Sequence, residues 1–276
     1  MTKPKYSRLV IPRKAKDDAV LGIVSLFGPL GFLEEGRDLV ACFRDAKAAR
    51  QASGALSASR VRCDLVTDIP EADPLEVFRA ASRPFPVGER LWLDPGDPCD
   101  SRAPAGRIAV RVPASTAFGT GGHESTRLAL LCLEEEPPEG LDVLDVGTGS
   151  GVLALAAAAL GARRAVGLDT DADALFVARR NLRLHAFGSR VSLLAGPAEA
   201  VGRLFPLVLA NLLPEEFLAA RRGVLAKVAP GGRLVLSGLP LDAEEKMLAR
   251  LRSRRWRLAG RRAEGQWACV CLERAS

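Results

Sequence analysis

Apolar positions along this chain change their period repeatedly, and each change predicts a new element. Residues 6–11, 39–43 and 60–66 are short runs enriched in branched apolar side chains and predict strands. Residues 17–27 and the alanine-rich 45–57 place apolar side chains at helical spacing, so two helices are expected between those strands. From residue 107 onward the alternation becomes regular. Strands are expected at 107–112, 141–146, 165–168, 191–194, 205–210 and 233–237, with a terminal hairpin over 257–272. Helices are expected between them at 124–133, 152–160, 174–184, 215–228 and 242–251. This pattern predicts an α/β architecture.

The two halves read differently. Residues 1–68 have a β-α-β-α-β order, with Gly28, Pro29, Gly31 and Gly36 at the turns, and fit a small ferredoxin-like layer. They carry no catalytic constellation, which leaves recognition or packing as their role. Residues 69–100 form a proline-rich connector through Pro70, Pro74, Pro84, Pro86, Pro95 and Pro98, with one short helix expected at 74–81. The larger domain is expected over 101–276, introduced by short strands at 91–93 and 107–112.

Composition narrows the class. A hydrophobic content of 48% over 276 residues supplies a substantial core, no apolar run reaches the length of a membrane span, and MTKPKYSR lacks the apolar segment of a signal peptide. A cytoplasmic protein with no membrane partner is expected. Six scattered cysteines without a C-x-x-C pair, and two histidines, indicate neither a metal site nor a disulfide framework. The formal charge of +6 leans toward acidic partners, and seven arginines fall within 250–262 around Trp256. A solvated helix end running into an edge strand explains that run better than an RNA-binding patch, so direct nucleic-acid binding is disfavoured.

The chemistry concentrates at 141–151, LDVLDVGTGSG, a buried-strand run ending in an acid and alternating glycines, followed by the apolar helix VLALAAAAL. Gly147, Gly149 and Gly151 allow positive φ and close ligand approach, and the N–H groups of the helix start offer donors. A strand-helix corner with no ligand would share these features. Gly149, Gly151 and Ala154 also satisfy the dinucleotide pattern G-x-G-x-x-A, which keeps an NAD-dependent dehydrogenase open. Asp145 directly ahead of the loop and the G-x-G-x-G spacing favour another ligand. Asp169, at the end of the next strand, can accept both hydroxyls of a ribose whichever cofactor carries it.

The loop spacing resembles motif I of the class I S-adenosylmethionine (SAM) methyltransferases. Residues 117–126, AFGTGGHEST, look like the AFGTG-x-H-x-[ST]-T signature of the family that methylates ribosomal protein L11 (PrmA), and 210–213, ANLL, resembles its A-N-[IL]-L motif. Gly122 and Glu124 depart from the first pattern. The resemblance is strong over about residues 107–240 and weak over 1–68. It implies a Rossmann-like domain with a mainly parallel seven-stranded sheet beside a ferredoxin-like N-terminal domain that grips a protein substrate. It further implies SAM as cofactor, bound by Phe118, Gly119, Thr120, Thr126, Asp145, Gly147, Gly149, Gly151, Asp169 and Asn211. The implied reaction is methyl transfer to lysine ε-amines, and the N-terminal amine, of ribosomal protein L11. A lysine methyltransferase for another protein, such as electron-transfer flavoprotein β, is the alternative, and a SAM-binding protein without catalysis is a third reading.

A lysine amine has a reference pKa near 10.4 and must enter such a site unprotonated. The Asn211 side-chain oxygen and the Leu212 carbonyl are the expected acceptors for its hydrogens, making both residues the catalytic candidates; no metal is required. Asn211-Leu212-Leu213 lacks an aromatic platform, which argues against a flat base as substrate. His123 and His185 are expected to be structural hydrogen-bonding groups, and Glu199 is placed in a loop near the adenine side.

Overall fold

A computed structural model describes residues 5–12, 18–35, 38–70, 82–96, 102–113, 121–251 and 253–276. The chain divides into two compact units, Met1–Ala81 and Ser82–Ser276. In the first, β1 (Lys5–Pro12), β2 (Gly31–Glu35), β3 (Asp38–Phe43) and β4 (Asp64–Pro70) form an antiparallel sheet in the order β2-β3-β1-β4. Helices α1 (Asp18–Ser25) and α2 (Ala46–Ala58) follow β1 and β3. Leu9, Ile11, Val24, Ala41, Phe43, Ala49 and Leu56 fill the core of this unit. The expected elements need two corrections here. Gly31 opens a strand instead of ending a turn, and the last strand begins at Asp64, because Arg60 adopts φ 60° and breaks the run expected over 60–66. The helix expected at 74–81 lies outside the described residues.

The second unit opens with a small sheet made of the two strands expected at 91–93 and 107–112 and a third, over 85–87, that the proline-rich composition concealed. Here β5 (Phe85–Val87) pairs antiparallel with β6 (Leu91–Asp94), which pairs parallel with β7 (Ile108–Arg111). Then come α3 (Glu124–Glu135), β8 (Asp142–Val146), α4 (Val152–Ala159), β9 (Arg164–Asp169), α5 (Ala172–Leu182), β10 (Val191–Ala195), β11 (Phe205–Asn211), α6 (Pro214–Lys227), β12 (Val228–Pro240), α7 (Leu241–Leu251), β13 (Trp256–Glu264) and β14 (Trp267–Arg274). Their seven-stranded sheet has the order β10-β9-β8-β11-β12-β14-β13. Pairing is parallel from β10 to β12, and β14 runs against both of its neighbours.

All five residues of β8 are buried, which explains its near-continuous apolar run: helices cover both faces of a central parallel strand. Val143 joins the core cluster on one face, with Leu130 and Leu155, and Leu144 joins the other, with Phe205 and Phe217. Strand order reverses between β8 and β11, since β9 and β10 lie on one side of β8 and β11 on the other. Such a reversal leaves a crevice at the carboxyl ends of the strands. Among the described residues no helix is long and apolar enough to cross a membrane.

Candidate active site

The turn after β8 is built by its glycines. Gly147, Gly149 and Gly151 have φ of 69°, 52° and 84°, a region that L side chains rarely adopt. Gly147 also lacks room for a side chain, because a Cβ there would run into the Leu212 side chain. At Gly151 a Cβ would come to 3.3 Å from that of Ala178, so this glycine serves the approach of α5.

Asp145 holds the turn from beneath. It is 1% exposed, and its Oδ2 accepts from the Thr148 hydroxyl at 2.6 Å and from the Ala154 N–H at 3.2 Å. Its Oδ1 is buried without a hydrogen-bond partner. Burial pushes the Asp145 carboxyl up to about 6; the Thr148 and Ala154 bonds pull it down and the charge of Asp169 adds to the rise. Gly167 on β9 makes room for this arrangement, since a Cβ there would stand 2.6 Å from the Thr148 Oγ1.

Asp169 ends β9 at the crevice. Its Oδ2 accepts from the Gly149 N–H at 2.9 Å and its Oδ1 from the Asp171 N–H at 3.0 Å. Each oxygen keeps a second lone pair, so the carboxylate can still take two hydroxyl donors. Asp171 caps α5 through the Asp173 N–H at 2.8 Å, which leaves Asp169 free of that duty.

Across the crevice, β11 delivers Asn211. Its Nδ2 donates to the Thr126 Oγ1 at 3.1 Å, and the carboxamide oxygen faces Gly238. Thr126 is fully buried in the first turn of α3. The same turn is tied to β12, because the Ser237 hydroxyl donates to the Ser125 carbonyl at 2.7 Å. His123 caps α3: its Nδ1 accepts from the Ser125 N–H at 3.2 Å, and its ring meets Trp267 edge-on at 4.8 Å between centroids. Burial lowers the His123 pKa, opposed by Glu124 and assisted by Arg127. The cap is therefore a neutral imidazole near neutral pH.

These groups line one cleft of about 620 Å³, the size of a small-molecule site. Gly147, Gly149, Asp169, Asn211 and Leu212 border it, together with an apolar wall that includes Leu168, Ala174, Pro197 and Ala198. Asp145, Gly151 and Thr126 stand behind the lining. Phe118, Gly119 and Thr120 lie outside the described residues. Glu199 does not border the cleft, its carboxylate packing where a Gly223 side chain would be. Sequence reasoning missed Gly167, Ser237, Gly238 and Trp267. A glycine directly after the strand run RLVLS was the one signal that could have exposed Gly238.

The remaining candidates settle into structural roles. His185 Nε2 accepts from the Arg111 N–H at 2.8 Å and its Nδ1 is 3.0 Å from the Asn181 carbonyl, so one neutral tautomer satisfies both. In the arginine run, Arg257, Arg261 and Arg262 pair with Glu273, Glu244 and Glu135. Among the described residues no cluster of three or more His, Cys, Asp or Glu could hold a metal ion.

The family model for ribosomal protein L11 methyltransferase (PrmA) matches residues 32–275. A ribosomal protein L11 methyltransferase of Geobacter metallireducens is 40% identical over 208 residues, covering 75% of this chain and 68% of that protein. One from Trichlorobacter lovleyi is 38% identical over 210 residues, covering 74% and 68%. The crystal structure of a ribosomal protein L11 methylase from Lactobacillus delbrueckii subsp. bulgaricus superposes with a TM-score of 0.64 at 26% identity, covering 71% of this chain and all of the other.

Proposed function

This chain belongs to the ribosomal protein L11 methyltransferase (PrmA) family, with SAM as its expected cofactor, and from that premise we propose that it methylates amines of ribosomal protein L11 in the cytoplasm. The acceptors are lysine ε-amines and the N-terminal amine. The observation that carries this reading is the Asn211 carboxamide, anchored through Nδ2 on Thr126 with its oxygen turned to the cleft, opposite the glycine turn and Asp169.

The cleft fits the cofactor on its own chemistry. The spare lone pairs of Asp169 suit a ribose diol, and the wall at Leu168, Ala174, Pro197 and Ala198 suits a flat heterocycle. SAM, when bound, supplies a methyl group activated by its sulfonium. Gly147 and Gly149 would border it through their backbone, their own N–H groups being bonded to the Leu168 carbonyl and the Asp169 carboxylate. Asp145 shapes that turn from behind through Thr148 and Ala154. Thr126 acts through Asn211, whose Nδ2 donates to its hydroxyl.

The protein's work on the amine is positional. Asn211 Oδ1 and the Leu212 carbonyl are two acceptors that take the N–H groups of a neutral amine and leave its lone pair directed outward. His123 is read as structural, its Nδ1 capping α3. The first unit, with its β-α-β-β-α-β order, is read as a ferredoxin-like module that grips the protein substrate. Incubation with purified ribosomal protein L11 and labelled SAM, followed by mass mapping, tests the reading. Methylated amines on that protein support it; label confined to another lysate protein supports the alternative lysine methyltransferase, and no transfer despite SAM binding supports a non-catalytic SAM-binding protein.

A further inference from the structure

We propose that Cys132 and Cys269 form an oxidation site, in which a hydroperoxide entering the cavity beside α3 converts the two thiols to a disulfide that ties α3 to β14. The chemistry needs neither SAM nor a protein substrate, so the inference stands apart from the methyl-transfer reading.

Cys132, near the end of α3, and Cys269, on β14, are 137 positions apart in the chain, and their sulfurs lie 3.6 Å from each other. A disulfide bond is about 2.05 Å long, so closing the pair needs an approach of roughly 1.5 Å. The surroundings hold the two elements together for that encounter. Arg127, in the first turn of α3, bonds Glu264 through Nε at 3.3 Å, and Glu135, in the last turn, takes the Arg262 Nε at 2.9 Å. Both of those partners lie on β13, which pairs with β14. Among the described residues no cluster could hold a metal ion, so the thiols are not ligands of one.

The two sulfurs have different parts. Cys269 is fully buried, whereas Cys132 is half-buried and lines a cavity of about 280 Å³ together with Cys271, Arg233 and Arg262. A small oxidant in that cavity meets Cys132 first. Charge follows the same order. The Cys269 S–H donates to Cys132 and holds its thiol below the usual range; burial opposes this, Arg262 assists and Glu135 opposes. That same bond, burial and the charge of Cys132 push the Cys269 thiol well above its usual range. The thiolate is the nucleophile in such chemistry, so Cys132 attacks and Cys269 resolves.

The Cys132 thiolate attacks one oxygen of the peroxide. An S–O bond forms, the O–O bond breaks, and the departing oxygen takes a proton from solvent and leaves as an alcohol or water. Cys132 is oxidised to a sulfenic acid and the peroxide is reduced. The Cys269 sulfur then attacks the Cys132 sulfur. The S–S bond forms, the S–O bond breaks, and the hydroxide takes the Cys269 proton and leaves as water. Two thiols and one hydroperoxide thus give a disulfide, an alcohol or water, and one further water. The cross-link joins two elements that both border the active-site cleft, through Ser125 of α3 and Trp267 of β14.

The experiment treats the reduced full-length chain with hydrogen peroxide and maps it by mass without reductant. We expect the intact mass to fall by two hydrogens, a peptide containing Cys132 to be linked to one containing Cys269, and dithiothreitol to reverse both changes. Fragmentation between Val270 and Cys271 separates a bond at Cys269 from one at Cys271, and this readout needs no variant to fold. In Cys269→Ala, Cys132 should stop at the sulfenic acid and be captured by dimedone; in Cys132→Ala neither the link nor the adduct should form. The thermal midpoint of the oxidised protein should equal or exceed that of the reduced one, because the folded geometry accepts the bond. A link from Cys132 to Cys271 or to any other cysteine, the absence of a link, or a fall in the midpoint on oxidation overturns the proposal.

Discussion

Asn211 and Thr126 hold each other across 85 positions of the chain: the carboxamide Nδ2 donates to a fully buried hydroxyl at 3.1 Å. The bond joins the end of β11 to the first turn of α3. Its consequence is position: the amide nitrogen is turned to the hydroxyl and the amide oxygen to Gly238.

Replacing Thr126 by Val keeps the volume but removes the acceptor, leaving Asn211 free to turn. Methyl transfer should fall roughly 10- to 100-fold, equivalent to about 1–3 kcal/mol, while SAM affinity changes by less than about twofold. Thr126→Ser should restore most of the rate. A matching loss of SAM affinity, measured by calorimetry, would show that the hydroxyl meets the cofactor directly.

Asp169→Ala removes the acceptor for the Gly149 N–H as well as the expected ribose contact. SAM affinity should drop about 10- to 100-fold, with the affinity for the protein substrate unchanged. Calorimetric titration with SAM decides the point, and undiminished affinity would remove Asp169 from the cofactor site.

Asp145 makes stability depend on pH. Its carboxyl is raised from 3.8 to about 6 in the folded state, so the folded protein holds this proton more tightly than the unfolded chain. The contribution is complete below about pH 4 and is lost as pH rises through about 6; a gap of roughly two pH units corresponds to about 3 kcal/mol. Asp145→Asn should flatten that part of the profile, leaving denaturation midpoints at pH 4 and pH 7 closer together than in the wild type.

Gly167→Ala should act at a distance from the ligand. A Cβ 2.6 Å from the Thr148 Oγ1 displaces that hydroxyl from Asp145 and disturbs the turn above it. Destabilisation of about 1–3 kcal/mol is expected from overpacking. SAM affinity should fall with it, whereas Gly140→Ala, at a left-handed position with open surroundings, should leave SAM binding unchanged.

Much of the site is legible in the order of residues. The run LDVLDVGTGSG announces a strand, a turn that needs glycine and a buried helix, and each of these depends on neighbours within a few residues. Asp169 and Asn211 can be placed because a residue ending a parallel strand reaches the crevice. Of the small sheet, β6 and β7 are legible as short apolar runs, whereas β5 is not, because its three residues include Pro86. Asp145 and Gly151 flank the turn, yet nothing in their spacing distinguishes a group that lines a cleft from one that supports it.

The sequence by itself determined the alternation of strands and helices and the glycine turn between β8 and α4, since local spacing and backbone freedom govern both. Tertiary structure decided which way Asn211 faces and what Asp145 supports. Those outcomes depend on the Thr126 hydroxyl and the Thr148 side chain meeting partners that the sequence alone does not assign. A hydrogen bond or a steric gap between separate strands and helices leaves no periodic trace along the chain; it exists only once the sheet has brought those ends together.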